Sequence, residues 1–317
     1  MRGPSMSSAS GDDRSDRRFA VVFNPTKISD GLPKLINEAA ERDGWTDPLW
    51  LETTEDDPGH QMAQRAREAG VQVVLAAGGD GTVRAVAAEL AGSGIPLGIV
   101  PEGTGNLLAR NLGIPLTEPE AIAVALGDSA RELDIVSIRT DDAEASDRFA
   151  VMAGLGLDAA IMSNTDDALK AKIGSVAYVA SALQHLGREP ARMRITVDDR
   201  RTLHRRAILC LIGNVGAVQG DIELIPGALP DDGLLDVVVA SPRRLRHWIA
   251  VALRLITRRE RSGDRIDQLT GHRVVIEVDR PEEYELDGDT IGKCRRLVAE
   301  VEPGALLLRA PASSRTS

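Results

Sequence analysis

The sequence predicts two parts: an N-terminal α/β domain on a doubly wound parallel sheet, then a β-rich antiparallel sandwich domain. Three observations predict this. Over residues 19–138 short β-branched runs alternate with helix-patterned segments, as in a parallel sheet with crossover helices. Past a polar, acidic connection at 140–147, strand follows strand with turns between, as in a sandwich. The chain of 317 residues, 43% hydrophobic and 27% charged, is long enough to bury two cores.

In the first part the apolar run Phe19-Ala20-Val21-Val22-Phe23 reads as a strand entering Asn24-Pro25-Thr26-Lys27. Helices are expected at 32–43 and 60–69, with a strand at 48–53 between them. The run at 71–77 ends in Gly78-Gly79-Asp80-Gly81-Thr82, and 83–90 follows as a helix. A strand at 95–100 leads into Pro101-Glu102-Gly103-Thr104-Gly105-Asn106 and a helix at 107–112. A helix at 117–126 and a strand at 131–138 complete this part. In the second part, strands are expected at 148–153, 192–197, 206–212, 234–240, 273–278, 282–286 and 298–301, with helices at 167–186 and 242–261. Residues 1–18, rich in Ser, Gly, Asp and Arg, read as a disordered tail.

The bulk composition excludes several classes. A net charge of −10 argues against general nucleic-acid binding. Cys210 and Cys294 suit a reducing compartment, and Cys210 lies in an apolar run that reads as core. No apolar stretch approaches the roughly 20 residues that span a bilayer, and the N-terminus lacks the apolar segment of a signal peptide. These features predict a cytoplasmic protein. Aromatic residues are only 3%, so aliphatic packing must dominate.

The turns carry the chemistry. A strand, a glycine-rich turn and a helix start together form a phosphate-binding arrangement, because glycines let the backbone approach an anion and free N–H groups point at it. Three polar turns, after 19–23, 71–77 and 95–100, would share the carboxyl edge of one sheet, where α/β proteins bind ligands. Asn24, Thr82, Thr104 and Asn106 are short side chains suited to phosphate or ribose. The Gly-x-x-x-x-Gly-Lys loop and the protein-kinase signature are both absent. Gly154-Leu155-Gly156-Leu157-Asp158-Ala159 matches a dinucleotide fingerprint, but the acid expected about 20 residues later is missing.

Asn24-Pro25, Gly78-Gly79-Asp80-Gly81-Thr82 and Gly103-Thr104-Gly105-Asn106, followed in order by 154–159, Gly213-Asn214, 230–236 and Leu286-Asp287-Gly288-Asp289, resemble the diacylglycerol kinase catalytic-domain family, which includes bacterial lipid kinases and the sphingosine and ceramide kinases. The resemblance spans about residues 19–309. It implies an active site in a cleft between a nucleotide-binding domain at 19–139, completed by 305–317, and a lipid-acceptor domain at 140–304. ATP and Mg2+ are the implied cofactors.

The resemblance also implies site roles. Asp80 joins the network near the phosphates and magnesium, Asp287 acts as the base, and Asp134 faces the cleft. Asn24, Pro25, Gly78, Gly79, Gly81, Thr82, Gly103, Thr104, Gly105, Asn106 and Asp289 contribute to the nucleotide site. Asp232, with the carbonyls of Leu229 and Leu234, forms a structural magnesium site, a hard-cation oxygen set. A plain Asp-Gly hairpin accounts for the same loop, as a capping carboxylate does for Asp80. Two departures stand out: Leu107 replaces an acid common in bacterial members, and Asp289 replaces the usual Glu.

The segment 242–261 carries seven arginines against Glu260, and reads as a basic amphipathic element for anionic membrane or as a solvated helix face. Peripheral contact at the inner membrane surface is therefore a further expectation. A homodimer stays open. The leading reading is an ATP-dependent lipid kinase acting on a diacylglycerol-like or sphingoid lipid. NAD kinase, which shares the Gly-Gly-Asp-Gly-Thr turn, and a nucleotide- and lipid-binding protein without turnover are the alternatives.

Overall fold

A computed structural model describes residues 17–141, 143, 146–156, 189–218, 222–223, 225, 227–240 and 266–311. The first part contains β1 (Phe19–Phe23), α1 (Leu32–Arg42), β2 (Leu49–Glu52), α2 (His60–Glu68), β3 (Val73–Gly78), α3 (Asp80–Leu90), β4 (Leu97–Pro101), α4 (Leu107–Asn111) and α5 (Glu118–Leu126). The strands lie in the order β2-β1-β3-β4, each neighbouring pair parallel. The chain steps from β1 to β2 on one side and to β3 on the other. The gap beyond the carboxyl ends of β1 and β3 is thus the topological switch point.

Alternate residues of β1 serve two cores, as a period of two requires. Ala20 and Val22 pack with Met62, Ala63, Val83, Val86 and Leu90 of α2 and α3. Phe19 and Val21 pack with Leu32, Ile36, Ile122 and Leu126 of α1 and α5. Helices cover both faces, which is why β3 is buried throughout.

The second part contains β5 (Ala130–Thr140), β6 (Asp147–Phe149), β7 (Met152–Leu155), β8 (Ala191–Val197), β9 (Arg201–Ala207), β10 (Leu209–Gly213), β11 (Ala217–Val218), β12 (Ile222–Glu223), β13 (Leu235–Ala240), β14 (Ile266–Gly271), β15 (Arg273–Leu286) and β16 (Asp289–Arg309). Its antiparallel strands run β14-β13-β10-β7-β15-β16. The strand expected at 131–138 to complete the parallel part is β5, which instead pairs antiparallel with β16 and β6. Strand β15 changes partner along its length: residues 274–278 pair with β8 and residues 284–286 with β7, with a register shift between Glu277 and Glu282. Such a shift lets one strand serve both layers of a sandwich. Their shared core includes Ile195, Cys210, Val237, Ile276, Leu286 and Leu297.

Several expected elements differ in instructive ways. The expected strand 148–153 is broken at Ala150 and Val151, whose backbone N–H groups turn into the Asp287 carboxylate. The expected strand 206–212 is two strands that meet at Ile208. The runs 273–278 and 282–286 are one strand, as are 298–301 and 305–308. Strand β16 continues past a register shift between Glu302 and Leu306, pairs with β5, and reaches β4 at Leu308 opposite Leu97. Both parts therefore share one sheet.

Of the tail expected at 1–18, residues 1–16 lie outside the described residues, and Arg17 is held in place. Arg17 bridges to Trp45, lies 4.1 Å over its ring and pairs with Asp128, contacts that fix it to the first sheet. The helices expected at 167–186 and 242–261 lie outside the described residues, as do Leu157, Asp158 and Ala159. Cys210 and Cys294 are free, buried thiols that burial pushes up to about 12, which suits a packing role.

Candidate functional site

At the ends of β3 and β4 the two glycine turns touch. A Cβ on Gly103 would lie 2.7 Å from the Gly79 Cα, and one on Gly105 would lie 2.5 Å from Asp80 Oδ2. Glycine is therefore needed at 103 and 105 for steric room. The space it frees admits the Asp80 side chain. Asp80 Oδ1 accepts the Leu107 N–H at 2.6 Å and Oδ2 accepts the Asn106 N–H at 2.9 Å. These are unpaired donors at the start of α4, so Asp80 caps a helix other than its own. Burial pushes the Asp80 carboxyl up, and the two N–H groups hold it down.

The polar side chains of the turns shape the backbone. Asn106 adopts φ 48°, accepts the Gly103 N–H at 3.0 Å and donates to the Gly103 carbonyl at 2.7 Å. Asn24 accepts from the Thr26 N–H at 3.0 Å and the Thr26 hydroxyl at 2.8 Å. Pro25 is exposed beside it, and Thr104 is exposed in the third turn. Thr82 is buried, lying where a side chain on Gly78 would have to go. Leu107, in place of an acid, packs its side chain into the core.

From the other part, the hairpin between β15 and β16 enters the same region. Leu286 pairs with Asp289, leaving a two-residue loop in which Asp287 has φ 49° and Gly288 has φ 95°. Two positive φ values are what a type I′ turn demands, and Asp-Gly supplies them. Asp287 is 6% exposed. Its Oδ1 accepts the N–H groups of Val151 at 3.1 Å and Met152 at 2.9 Å, while Oδ2 takes only a 3.4 Å contact from Ala150. Burial pushes this carboxyl up to about 6. The Met152 N–H and the Arg84 guanidinium oppose that, and Asp80 adds to it.

Two further charged groups stand at this junction. Arg84, one turn beyond Asp80 on α3, donates to Asp289 Oδ2 at 2.9 Å and ties the two parts together. Glu285 is 2% exposed, and burial followed by repulsion from Asp287 pushes it up to about 7. Its carboxyl occupies the space opposite Gly154, where any Cβ would lie 2.7 Å from Oε1. Strand alternation puts Glu285 on one face with Asp287. Nothing in the local sequence pointed to Arg84. A third group, Lys27, sets its ammonium 3.4 Å from where a Gly79 side chain would begin.

The Asp134 carbonyl shares the Asn214 amide with the carbonyl of Ala150, whose N–H meets Asp287, but the Asp134 carboxylate has other partners. Asp134 is 2% exposed; Oδ2 accepts the Gly233 N–H at 2.7 Å and Oδ1 the Gly304 N–H at 2.8 Å. Its own N–H donates to the Pro230 carbonyl at 2.8 Å. This residue knots the loop at 229–234 to the kink of β16. Within that loop, Asp232 Oδ1 accepts the Leu234 N–H at 3.0 Å, and Leu229 is 54% exposed. Among the described residues, no cluster of three or more His, Cys, Asp or Glu side chains could hold a metal ion. The Leu229–Asp232–Leu234 set is of a different kind, one carboxylate with main-chain carbonyls, and its all-oxygen chemistry fits a hard cation.

Residues 18–138 match the diacylglycerol kinase catalytic domain, and residues 151–310 match the YegS C-terminal NAD kinase beta sandwich-like domain. A "Probable lipid kinase YegS-like" of Pseudomonas fluorescens is 30% identical, covering 95% of this chain and 97% of the relative. The chain belongs to the YegS-like lipid kinase family. Another such lipid kinase, from Pseudomonas aeruginosa, is 33% identical over 87% of this chain and 89% of its own length. Among solved structures, a diacylglycerol kinase from Bacillus anthracis superposes with a TM-score of 0.71 at 22% identity, covering 93% of this chain and 97% of that one. An NAD kinase from Archaeoglobus fulgidus, solved with ATP, superposes with a TM-score of 0.53 at 13% identity, covering 92% and 93%. These likenesses show that the lipid kinase family and NAD kinase share this two-part fold. No helix among the described residues of this chain is long and apolar enough to cross a membrane.

Proposed function

We propose that this chain transfers the terminal phosphate of ATP to a hydroxyl of a diacylglycerol-like or sphingoid lipid. One observation carries the reading. The phosphate-type turn at 78–82 and the buried Asp287 come from different parts of the chain, yet meet at the Arg84–Asp289 bridge. Phosphoryl transfer asks mainly for positioning and charge stabilisation, with one group to receive the acceptor's proton.

In this reading the turns at 78–82 and 103–106, with Asn24 and Pro25, surround the triphosphate, and Asp80 fixes the start of α4 against it. The acceptor oxygen bonds to the terminal phosphorus as the bond to the bridging oxygen breaks. ADP leaves with that electron pair, and the hydroxyl proton passes to Asp287. Its Oδ2 suits this task because its hydrogen-bonding capacity is the less used, and a pKa near 6 places it close to neutral pH. Asp134 is the alternative base, although its carboxylate already holds two backbone N–H groups. Magnesium bound by Asp232 and the carbonyls of Leu229 and Leu234 would supply loop rigidity. ATP-bound magnesium would neutralise phosphate charge.

The test is phosphotransfer from labelled ATP to a total lipid extract, with NAD assayed in parallel and the product identified by mass. A phosphorylated lipid supports the reading. Phosphorylated NAD would replace it with the NAD kinase alternative, and binding without transfer would replace it with a binding protein.

A further inference from the structure

Arg84 leaves α3 four residues after Asp80, so both side chains emerge on one helix face, toward the meeting of the two parts. The Arg84 side chain is largely buried, 12% exposed. One edge is engaged: Nη2 donates to Asp289 Oδ2 at 2.9 Å. Nε is buried and has no hydrogen-bond partner. A buried, unpaired N–H on a cation is costly, and a bridge that served stability alone would leave no reason for it. The group stands beside the glycine turn, with the Lys27 ammonium also near that turn at Gly79. Asp289 is half exposed and comes from the other part of the chain, so it aims the guanidinium from across the junction.

We propose that Arg84 is a phosphate-binding residue whose guanidinium, oriented by Asp289, contacts the oxygens of the phosphoryl group in transfer. This rests on the kinase reading above and adds a residue to it. Guanidinium is a rigid planar fork of five donors, so engaging one edge with a carboxylate leaves donors for anionic oxygens. The charge that develops on the equatorial oxygens of the moving phosphate is what such a group stabilises. Because Asp289 belongs to the β15–β16 hairpin, the clamp is assembled only when the part bearing Asp287 is seated against α3. Glutamate, the usual residue at position 289, has a longer arm; the aspartate meets Arg84 directly.

The experiment uses the full chain with Arg84→Gln, Arg84→Lys and Asp289→Asn. Calorimetry with ADP and with a non-hydrolysable ATP analogue is set beside steady-state transfer and thermal unfolding. Arg84→Gln is expected to leave ADP affinity unchanged, weaken the analogue about tenfold and lower kcat by about 100-fold or more, the scale seen on removing one transition-state donor. Arg84→Lys, which keeps charge but loses the fork, should fall between. Asp289→Asn should lose less than Arg84→Gln, since it removes only the orienting group. Equal analogue affinity in wild type and Arg84→Gln overturns the proposal, whether or not the wild type transfers phosphate. Arg84-dependent analogue binding in a wild type that transfers nothing would sustain the clamp and refute the kinase reading.

Discussion

Asp80 would serve the proposed chemistry by serving structure. Both of its oxygens are bonded to the first N–H groups of α4, so its charge organises the backbone that would face phosphate. Asp80→Asn would turn one acceptor into an NH2 group pointed at an N–H. We expect a folded protein whose turnover is lower by about 100-fold or more, read as single-turnover transfer per folded molecule. Unchanged turnover would remove Asp80 from the site. Asp287 and Glu285 make a second, opposed pair of expectations with pH. Burial raises both, to about 6 and about 7. Because the folded values exceed the unfolded ones near 4, the stability they contribute is full below about pH 4 and is lost as pH rises through about 6 to 7. A base must be ionised to act, so transfer should rise through about pH 6 as unfolding stability falls. Arg84→Gln should move the activity limb upward, because the guanidinium lowers the Asp287 value. Activity independent of pH from about 5 to about 8 would remove Asp287 from the base role.

The loop at 229–234 and the kink of β16 are held by one carboxylate. Asp134→Ala would leave the N–H groups of Gly233 and Gly304 without their acceptor, at about 1–3 kcal/mol each if they stay buried. Denaturant titration should show a loss of about 2–4 kcal/mol. A loss below about 0.5 kcal/mol, the range of ordinary surface changes, would contradict that role. Magnesium gives a separable expectation for the same loop. It should raise the unfolding temperature of the wild type and not of Asp232→Ala, since binding only the native state adds stability. Equal magnesium shifts in both proteins would move the metal elsewhere. The hairpin at Asp287-Gly288 follows a local rule, because two positive φ values have few sequence solutions. The break at Ala150 and Val151 was not legible: those residues are apolar and strand-forming, and only the distant Asp287 carboxylate turns their N–H groups aside.

Across the whole molecule, β16 runs from the Asp287 hairpin to the edge of β4. Removing residues 305–317 should destabilise the N-terminal domain as well as the sandwich, because Leu306 and Leu308 pack in the core around β4 and α3. Hydrogen exchange resolved by segment would show β4 losing protection; unchanged protection there would disprove the coupling. The arginine-rich segment 242–261 carries an expectation of its own. If it meets anionic membrane, vesicle binding should weaken with salt and with Arg258→Glu and Arg259→Glu together, at about 1 kcal/mol per charge near the surface. Binding indifferent to both changes would exclude that contact.

The sequence by itself determined the two-part plan and most of the parallel domain's elements. Buried strands, helix faces and Asp-Gly turns are set by local rules of period and backbone sterics, so they can be read over a few residues. Tertiary structure alone decided that Asp80 caps α4, that Asp134 ties a loop to β16 and that Arg84 meets Asp289. These contacts join residues far apart in the chain, 205 positions in the case of Arg84 and Asp289. Their partners are backbone groups and single charges, which have no period and leave no local trace. What selects them is the cost of burying a charge without a partner, and that cost exists only once the two parts have closed together.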